Sequence, residues 1–248
     1  MKRQIRFWTI SVLALVCFIL IGSRLAVPWF VARSLQASAD PAYFAPDIAR
    51  FATTDREHPP PVRPIVFVGS SSIRLWGTLQ QDMAPLRVLN RGFGGARLAS
   101  VVYYVDQAVI QYRPRAVVLY AGDNDIDGGQ SPEGVVRDFR RFVSRVQSAL
   151  PDVPIYYLSM KPNLLLWSNW PKYERGNVQI AAICASDPRL GYIDGSTPLL
   201  AAGRPPPREL YRFDEMHLSK KGYALWTSII RPRLQKDLGE TADRPAAH

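Results

Sequence analysis

Apolar and polar positions repeat in one order from residue 65 onward. Short apolar runs rich in β-branched residues are typical of buried strands, and apolar residues three and four positions apart between them are typical of helices. Strands are predicted at 65–68, 87–89, 116–120, 155–158 and 191–193, and helices at 97–111, 132–150 and from 219 towards 238. Strands that alternate with helices indicate an α/β fold with a mostly parallel sheet covered on both faces.

The segment 132–150 carries the clearest helix signal. Ser131 is a typical N-cap, and Pro132 suits the first helical position. One face of the predicted helix is apolar, with Val135, Phe139, Phe142, Val143 and Val146. In the last helix, Ser219 is the predicted cap and Pro232 predicts a kink or an end.

The N-terminus has a different pattern. Residues 7–23 carry no charge and follow three basic residues. At about 1.5 Å per helical residue, this run approaches the thickness of membrane hydrocarbon. It predicts a membrane anchor within residues 1–33 that starts in the cytoplasm and leaves the following domain exported. The competing interpretation is a signal peptide cleaved after Ala37-Ser38-Ala39, a small-x-small pattern.

Between the anchor and the α/β pattern lies a segment rich in Ala, Asp and Pro. It spans residues 34–63 and ends in His58-Pro59-Pro60-Pro61. Consecutive prolines favour an extended, polyproline-like chain, so the sequence predicts a tether here. The domain then covers 64–238, followed by a short tail at 239–248.

Composition and charge exclude several classes of protein. Hydrophobic residues make up 47% of the 248 positions, which excludes a disordered chain. The net charge is +10, but the basic residues are scattered and no nucleic-acid-binding motif accompanies them, so we expect attraction to anionic lipid and no nucleic-acid partner. The two cysteines, Cys17 and Cys184, predict neither a disulfide nor a metal cluster.

The first candidate for chemistry follows the first predicted strand. There Gly69 and Ser70 lead into Ser71 at the start of a helix. A hydroxyl at this place has backbone N–H groups nearby, and these stabilise developing negative charge. Taken alone, the same residues also fit an ordinary serine N-cap.

Two further loops carry candidate ligand-binding groups. Gly95 lies in a glycine-rich loop without the ending of a phosphate-binding loop, and it also fits a structural turn. Asn124 follows the third predicted strand and can donate its side-chain amide to an oxyanion. Its neighbours Asp123 and Asp125 fit either a metal pair or turn residues that bind backbone N–H groups.

The fourth candidate is a carboxylate three residues before a histidine. Asp214 can bind one nitrogen of His217, which fixes the tautomer and leaves the other nitrogen free to act as a base. The chain has three histidines; His58 lies in the predicted tether and His248 is the last residue. A histidine that acts in this domain is therefore His217.

Together these four segments resemble the SGNH, or GDSL-type, hydrolase family over about residues 64–234. The resemblance implies a three-layer α/β/α, flavodoxin-like sandwich with about five strands. It implies that Ser71 is the nucleophile and that Asp214 and His217 complete a triad. It also implies an oxyanion hole made by the N–H groups of Gly95 and Ser71 and the amide of Asn124.

The chain departs from the family at the nucleophile. The family's Gly-Asp-Ser is here Gly69-Ser70-Ser71, so the acidic residue is missing. Ser72 follows at once and is the alternative nucleophile.

The implied activity is hydrolysis of carboxylic esters of small acyl or O-acetyl groups, through an acyl-enzyme and without a metal or organic cofactor. We expect an ester or acylated glycan as substrate, and a single-pass protein of the inner membrane with its catalytic domain on the periplasmic or extracytoplasmic side. Lys161-Pro162-Asn163, Trp167 and Trp170 follow the fourth strand and either wall the substrate site or pack in the core. An envelope polysaccharide acyltransferase and a catalytically inactive tethered binding protein are the alternatives.

Overall fold

Five strands form one sheet in the computed structural model, which describes Arg33 and residues 36–239. The strands are β1 (Ile65–Gly69), β2 (Val88–Gly92), β3 (Ala116–Tyr120), β4 (Ile155–Leu158) and β5 (Leu190–Ile193). All neighbouring pairs are parallel, and the order is β2-β1-β3-β4-β5. This is the flavodoxin-like order, and it reverses between β1 and β3. The predicted parallel sheet is confirmed.

Helices connect the strands and cover both faces of the sheet. They are α1 (Ala45–Glu57), α2 (Ser71–Arg74), α3 (Leu79–Asp82), α4 (Leu98–Tyr103), α5 (Val105–Ala108), α6 (Asp123–Asp127), α7 (Pro132–Ala149), α8 (Trp170–Ser186), α9 (Thr197–Leu200) and α10 (Lys220–Leu238). Short 3₁₀-helices span Pro41–Phe44, Ile110–Tyr112, Trp167–Asn169 and Arg208–Leu210.

The helix predictions are confirmed with two differences. Ser131 caps α7 by accepting a hydrogen bond from the backbone of Gly134, as predicted. The segment predicted as one helix over 97–111 is broken into α4, α5 and a 3₁₀ turn, and its β-branched residues weaken helix propensity. Helix α10 continues through Pro232, because it is held by buried side chains on both sides of the proline, namely Trp226, Ile230 and Leu234.

Two hydrophobic cores lie on opposite faces of the sheet. Along β1 the side chains alternate, with Ile65 and Phe67 in one core and Val66 and Val68 in the other. Helices α4, α5, α7 and α8 supply the core around Val66, and α2, α3, α9 and α10 supply the other. The structure is therefore the predicted three-layer sandwich.

The predicted anchor within residues 1–33 lies outside the described residues, apart from Arg33, as does the tail beyond Gly239. In the part of the chain that is described, no helix is both long and apolar enough to cross a membrane.

The prediction of an extended tether at 34–63 is wrong for most of this segment. Residues 41–44 form a 3₁₀-helix and α1 spans Ala45–Glu57. Pro41 and Pro46 do not prevent these helices, because each lies in a first turn, where a missing N–H group leaves no hydrogen bond unmade. Phe44 is fully buried in a core, where it packs edge-to-face on Phe93 with ring centroids 5.0 Å apart.

A buried arginine joins α1 to the edge strand of the sheet. Arg91 in β2 forms a short ion pair with Asp55 of α1 and donates to the Tyr112 hydroxyl at 2.8 Å. Its guanidinium also lies over the rings of Phe51 and Tyr112 at 4.9 and 4.6 Å. A buried charge needs a partner, so α1 is a structural part of the α/β domain rather than a spacer.

Phe44→Ala tests this conclusion. We expect it to lower the free energy of unfolding by about 3 kcal/mol, because it opens a cavity beside Phe93. Tyr43→Ala is the matched control, since the Tyr43 side chain is 48% exposed, and its effect should stay within about 1 kcal/mol. Urea unfolding followed by circular dichroism measures both variants, and equal effects would contradict the assignment of this segment to the core.

Candidate active site

A glycine with positive φ directs the chain from β1 into α2. Gly69 has φ +138°, and a Cβ there would lie 1.8 Å from the carbonyl oxygen of Tyr120 in β3. The next residue, Ser70, donates its backbone N–H to that same oxygen at 2.9 Å, while the carbonyl of Gly69 accepts from the N–H of Phe93. Because the turn is bound to the neighbouring segments on both sides, Ser71 is held at the carboxyl end of the sheet.

Of the adjacent serines, Ser71 contacts the histidine. Its Oγ lies 2.8 Å from His217 Nε2. The Ser72 side chain instead lies in the core: this residue is 1% exposed and its carbonyl accepts from the Tyr223 hydroxyl. The residue two positions after the glycine, and not the alternative, therefore faces the imidazole.

The aspartate and histidine of the last motif are held in one tight loop. Asp214 Oδ2 lies 2.7 Å from His217 Nδ1, and Oδ1 accepts the backbone N–H groups of Met216 and His217 at 3.0 and 2.9 Å. Glu215 takes a left-handed conformation with φ +58°, which is uncommon outside glycine and is found at functional loops. Since an ionised carboxylate only accepts, Nδ1 carries the proton and Nε2 is free to accept one from Ser71.

The surroundings favour a neutral imidazole beside an ionised carboxylate. Burial lowers the pKa of His217; Asp214 opposes this shift, and the charge of Lys161 adds to it. Burial also acts to raise the pKa of Asp214, but the hydrogen bonds from His217 and Met216 outweigh it, so that pKa is lowered. His217 is therefore ready to accept a proton at neutral pH.

Gly95 and Asn124 lie in the loops after the two strands that flank β1. Gly95 has φ +80° in the loop after β2, and Asn124 is buried in α6 after β3. The Asn124 amide donates to the carbonyl of Ala96 at 3.1 Å, which joins the two loops. An amide has two N–H groups, so a second donor remains for a ligand.

The two aspartates beside Asn124 bind protein groups. Asp125 accepts the N–H of Leu98 with both oxygens at 3.0 Å, and burial raises its pKa to about 7. Asp123 accepts the Tyr120 hydroxyl at 2.6 Å and the N–H of Asn124. This agrees with the interpretation as residues that satisfy backbone N–H groups. In the described range, no group of three or more His, Cys, Asp or Glu side chains is arranged to hold a metal.

The residues after β4 differ in their roles. Trp167 and Trp170 stack with their ring planes 5° apart, and both pack against a core, as one of the two interpretations predicts. Lys161, in contrast, is buried and contacts the loop of His217. Sequence reasoning singled out Lys161-Pro162-Asn163 but did not find this contact, since no spacing in the motif indicates it.

Comparison with known proteins assigns the class. The model of the GDSL-like lipase/acylhydrolase family matches residues 67–225. This match runs from within β1 to the first residues of α10 and includes every candidate site residue. The chain therefore belongs to the GDSL-like lipase/acylhydrolase family. A comparison with curated protein sequences gave no match.

Solved structures share the fold at low identity. A GDSL-like lipase from Bacteroides thetaiotaomicron is 18% identical with a TM-score of 0.67, covering 77% of this chain and 98% of its own. A carbohydrate esterase family 3 protein from Talaromyces cellulolyticus is 17% identical with a TM-score of 0.58, covering 73% and 100%. A catalytic mutant of an acetylxylan esterase from Geobacillus stearothermophilus is 13% identical with a TM-score of 0.56, covering 73% and 95%.

Proposed function

We propose that this protein is a serine esterase that hydrolyses carboxylic esters of small acyl groups, including O-acetyl groups. The observation that carries the proposal is the continuous hydrogen-bonded chain from Ser71 through His217 to Asp214. The presence of acetylxylan and carbohydrate esterases among proteins of this fold supports the choice of substrate class.

In this proposal Ser71 is the nucleophile and His217 its base. As Ser71 Oγ attacks the ester carbonyl, its proton passes to His217 Nε2 across the 2.8 Å hydrogen bond. Asp214 holds the imidazole in the required tautomer and stabilises the imidazolium that forms. The imidazolium then gives its proton to the departing alkoxide, so an alcohol leaves and an acyl-serine remains.

The oxyanion is stabilised by groups on both sides of Ser71. We assign this role to the backbone N–H groups of Ser71 and Gly95 and to the second N–H of the Asn124 amide. The start of α2 and the loops after β2 and β3 all lie at the carboxyl end of the parallel strands, which supports this assignment. They act most strongly when the carbonyl oxygen becomes negative, as catalysis requires.

In the second step, water hydrolyses the acyl-serine with the help of the same groups. His217 takes a proton from water, the resulting hydroxide attacks the acyl-serine, and Ser71 regains its proton as the acid leaves. If a sugar hydroxyl takes the place of water, the same site transfers the acyl group.

The test uses the full chain with aryl esters of increasing acyl length and with acetylated glycans. We expect the highest kcat/KM for acetyl or similarly short esters, with free acetate as the product. Acetate found on an added glycan would identify a transferase. Turnover of neither ester class would contradict the proposal and favour a binding protein.

The pH dependence of kcat/KM reports the ionisation of His217. The base must be neutral, so activity should rise with pH through a single deprotonation and then level off. Because burial and Lys161 lower the pKa of His217, the midpoint should lie below its ordinary value of about 6.5. Initial rates from pH 4.5 to 9 with an aryl acetate measure it, and a midpoint above that value would contradict the assigned environment.

A further inference from the structure

The loop of Asp214 and His217 is held by the segment that follows β4. The carbonyl of Glu215 accepts the backbone N–H groups of Leu164 and Leu165 at 2.8 and 3.2 Å. In the other direction, the Tyr211 hydroxyl donates to the carbonyl of Pro162 at 2.8 Å. The chain from 161 to 165 therefore forms a support for the loop that carries the acid and the base.

Lys161 is the charged member of this support. Its side chain is almost fully buried, with 1% of the residue exposed, and its ammonium donates to the carbonyl of Met216 at 2.7 Å. This carbonyl belongs to the peptide that leads directly into His217. A buried ammonium is costly unless it is bound and compensated, so its presence at this place calls for an explanation.

Three carboxylates compensate the ammonium. Asp123 and Asp127 lie on α6 and Asp214 lies in the supported loop, and all three act to raise the pKa of Lys161 against the larger lowering by burial. Asp123 is bound by the Tyr120 hydroxyl, and Asp127 by Asn169 and by a short hydrogen bond from Tyr173, so these carboxylates are fixed in place. The ammonium therefore lies among three carboxylates, and two of these, Asp123 and Asp214, also act on the imidazole of His217.

We infer that Lys161 is a positioning residue of this site: it fixes the peptide before His217 and balances the acidic groups that face the imidazole. The inference rests on the proposed esterase function. Of the groups that act on His217, Asp214 in its own loop and Asp123 in α6 favour the imidazolium, and Lys161 after β4 opposes them. Without Lys161 the imidazole should hold its proton to higher pH and sit less firmly towards Ser71.

Two variants separate the charge from the hydrogen bond. Lys161→Gln keeps a donor but loses the charge, and Lys161→Met loses both while preserving much of the volume. Lys172→Met is the matched control, because Lys172 is exposed on α8. Thermal unfolding shows which variants are folded. Removing one member of a buried charge cluster is destabilising. Because Asp123 and Asp127 keep their hydrogen bonds from Tyr120, Asn169 and Tyr173, we expect Met to fold with a lower melting temperature. If Lys161→Met does not fold, the measurements on Lys161→Gln test the inference.

The first readout needs no enzymatic activity. Titration of the His217 imidazole by NMR should move to higher pH in both Lys161 variants and stay unchanged in Lys172→Met. The second readout is ester hydrolysis: we expect kcat to fall roughly tenfold or more in Lys161→Met and less in Lys161→Gln, with little change in KM. The midpoint of the pH profile should follow the NMR titration.

The outcomes distinguish the inference from the function on which it rests. An unchanged His217 titration in both folded Lys161 variants would overturn the inference even if the protein is an active esterase. Lower kcat without a shifted titration would leave Lys161 a merely structural role and overturn the charge argument. A shifted titration in a protein that hydrolyses no ester would uphold the electrostatic role and reject the esterase proposal instead.

Discussion

Ser71→Ala should lower kcat for ester hydrolysis by about 10³-fold or more. We expect the variant to keep the fold, and in the proposed mechanism it loses the atom that attacks the carbonyl. His217 then has no proton to accept from the protein, so the histidine and Asp214 lose their function together with the serine. The remaining rate should come from the oxyanion donors and from binding alone. Initial rates with an aryl acetate, measured at saturating substrate, give the ratio.

Ser72→Ala is the matched control for this prediction. It also removes a serine hydroxyl, but from the neighbouring residue, whose side chain lies in the core instead of facing His217. We expect at least a tenth of the wild-type kcat. The reverse pattern would move the nucleophile to Ser72, and a small effect of both substitutions would rule out serine catalysis. Circular dichroism of both variants shows that the comparison is between folded proteins.

The sheet could be predicted from the sequence because its strands are buried on both faces. In β1 each residue is buried, so the strand is a continuous apolar run and is easily distinguished from its surroundings. The parallel arrangement followed from the alternation of strands with helices. The strand order did not, because it depends on which faces pack together across long separations in the chain.

Helix α1 shows why local patterns were insufficient elsewhere. Alanines, aspartates and prolines dominate its surroundings, and the helix has no fully buried residue of its own. It is held at the sheet by Phe44 just before it and by the pair of Asp55 with Arg91. Partners 36 residues apart leave no periodic signal, so composition alone indicated a tether.

In the candidate site, too, local motifs indicate some residues, while another residue depends on a contact that is distant in the chain. Ser71, Asn124 and His217 could be proposed as site residues from the sequence because each lies at a loop with a recognisable short motif, and the order of these motifs resembles one family. Lys161 was noticed in its motif, but its role depends on a carbonyl 55 residues away. Any residue can supply a backbone carbonyl, so the sequence around Met216 carries no signal for this contact.

Asn124→Ala should lower kcat by roughly 10²-fold while leaving KM almost unchanged. In the proposed mechanism, its free amide N–H binds the carbonyl oxygen most strongly once that oxygen is negative. Losing this donor therefore raises the energy of the transition state more than that of the bound ester. Michaelis–Menten kinetics with an aryl acetate separate the two constants.

Asn124→Asp tests whether donation is the property that matters. The substitution preserves the size and shape of the side chain but replaces the donor with a carboxylate that only accepts. If Asn124 stabilises an oxyanion, Asp should be at least as harmful as Ala, because it also places a negative charge beside the developing one. The Asn124 amide also binds the carbonyl of Ala96, so thermal unfolding must show that the loop after β2 remains intact. Near-normal kcat in folded Asn124→Asp would exclude the oxyanion role, and an effect limited to KM would place Asn124 in ground-state binding.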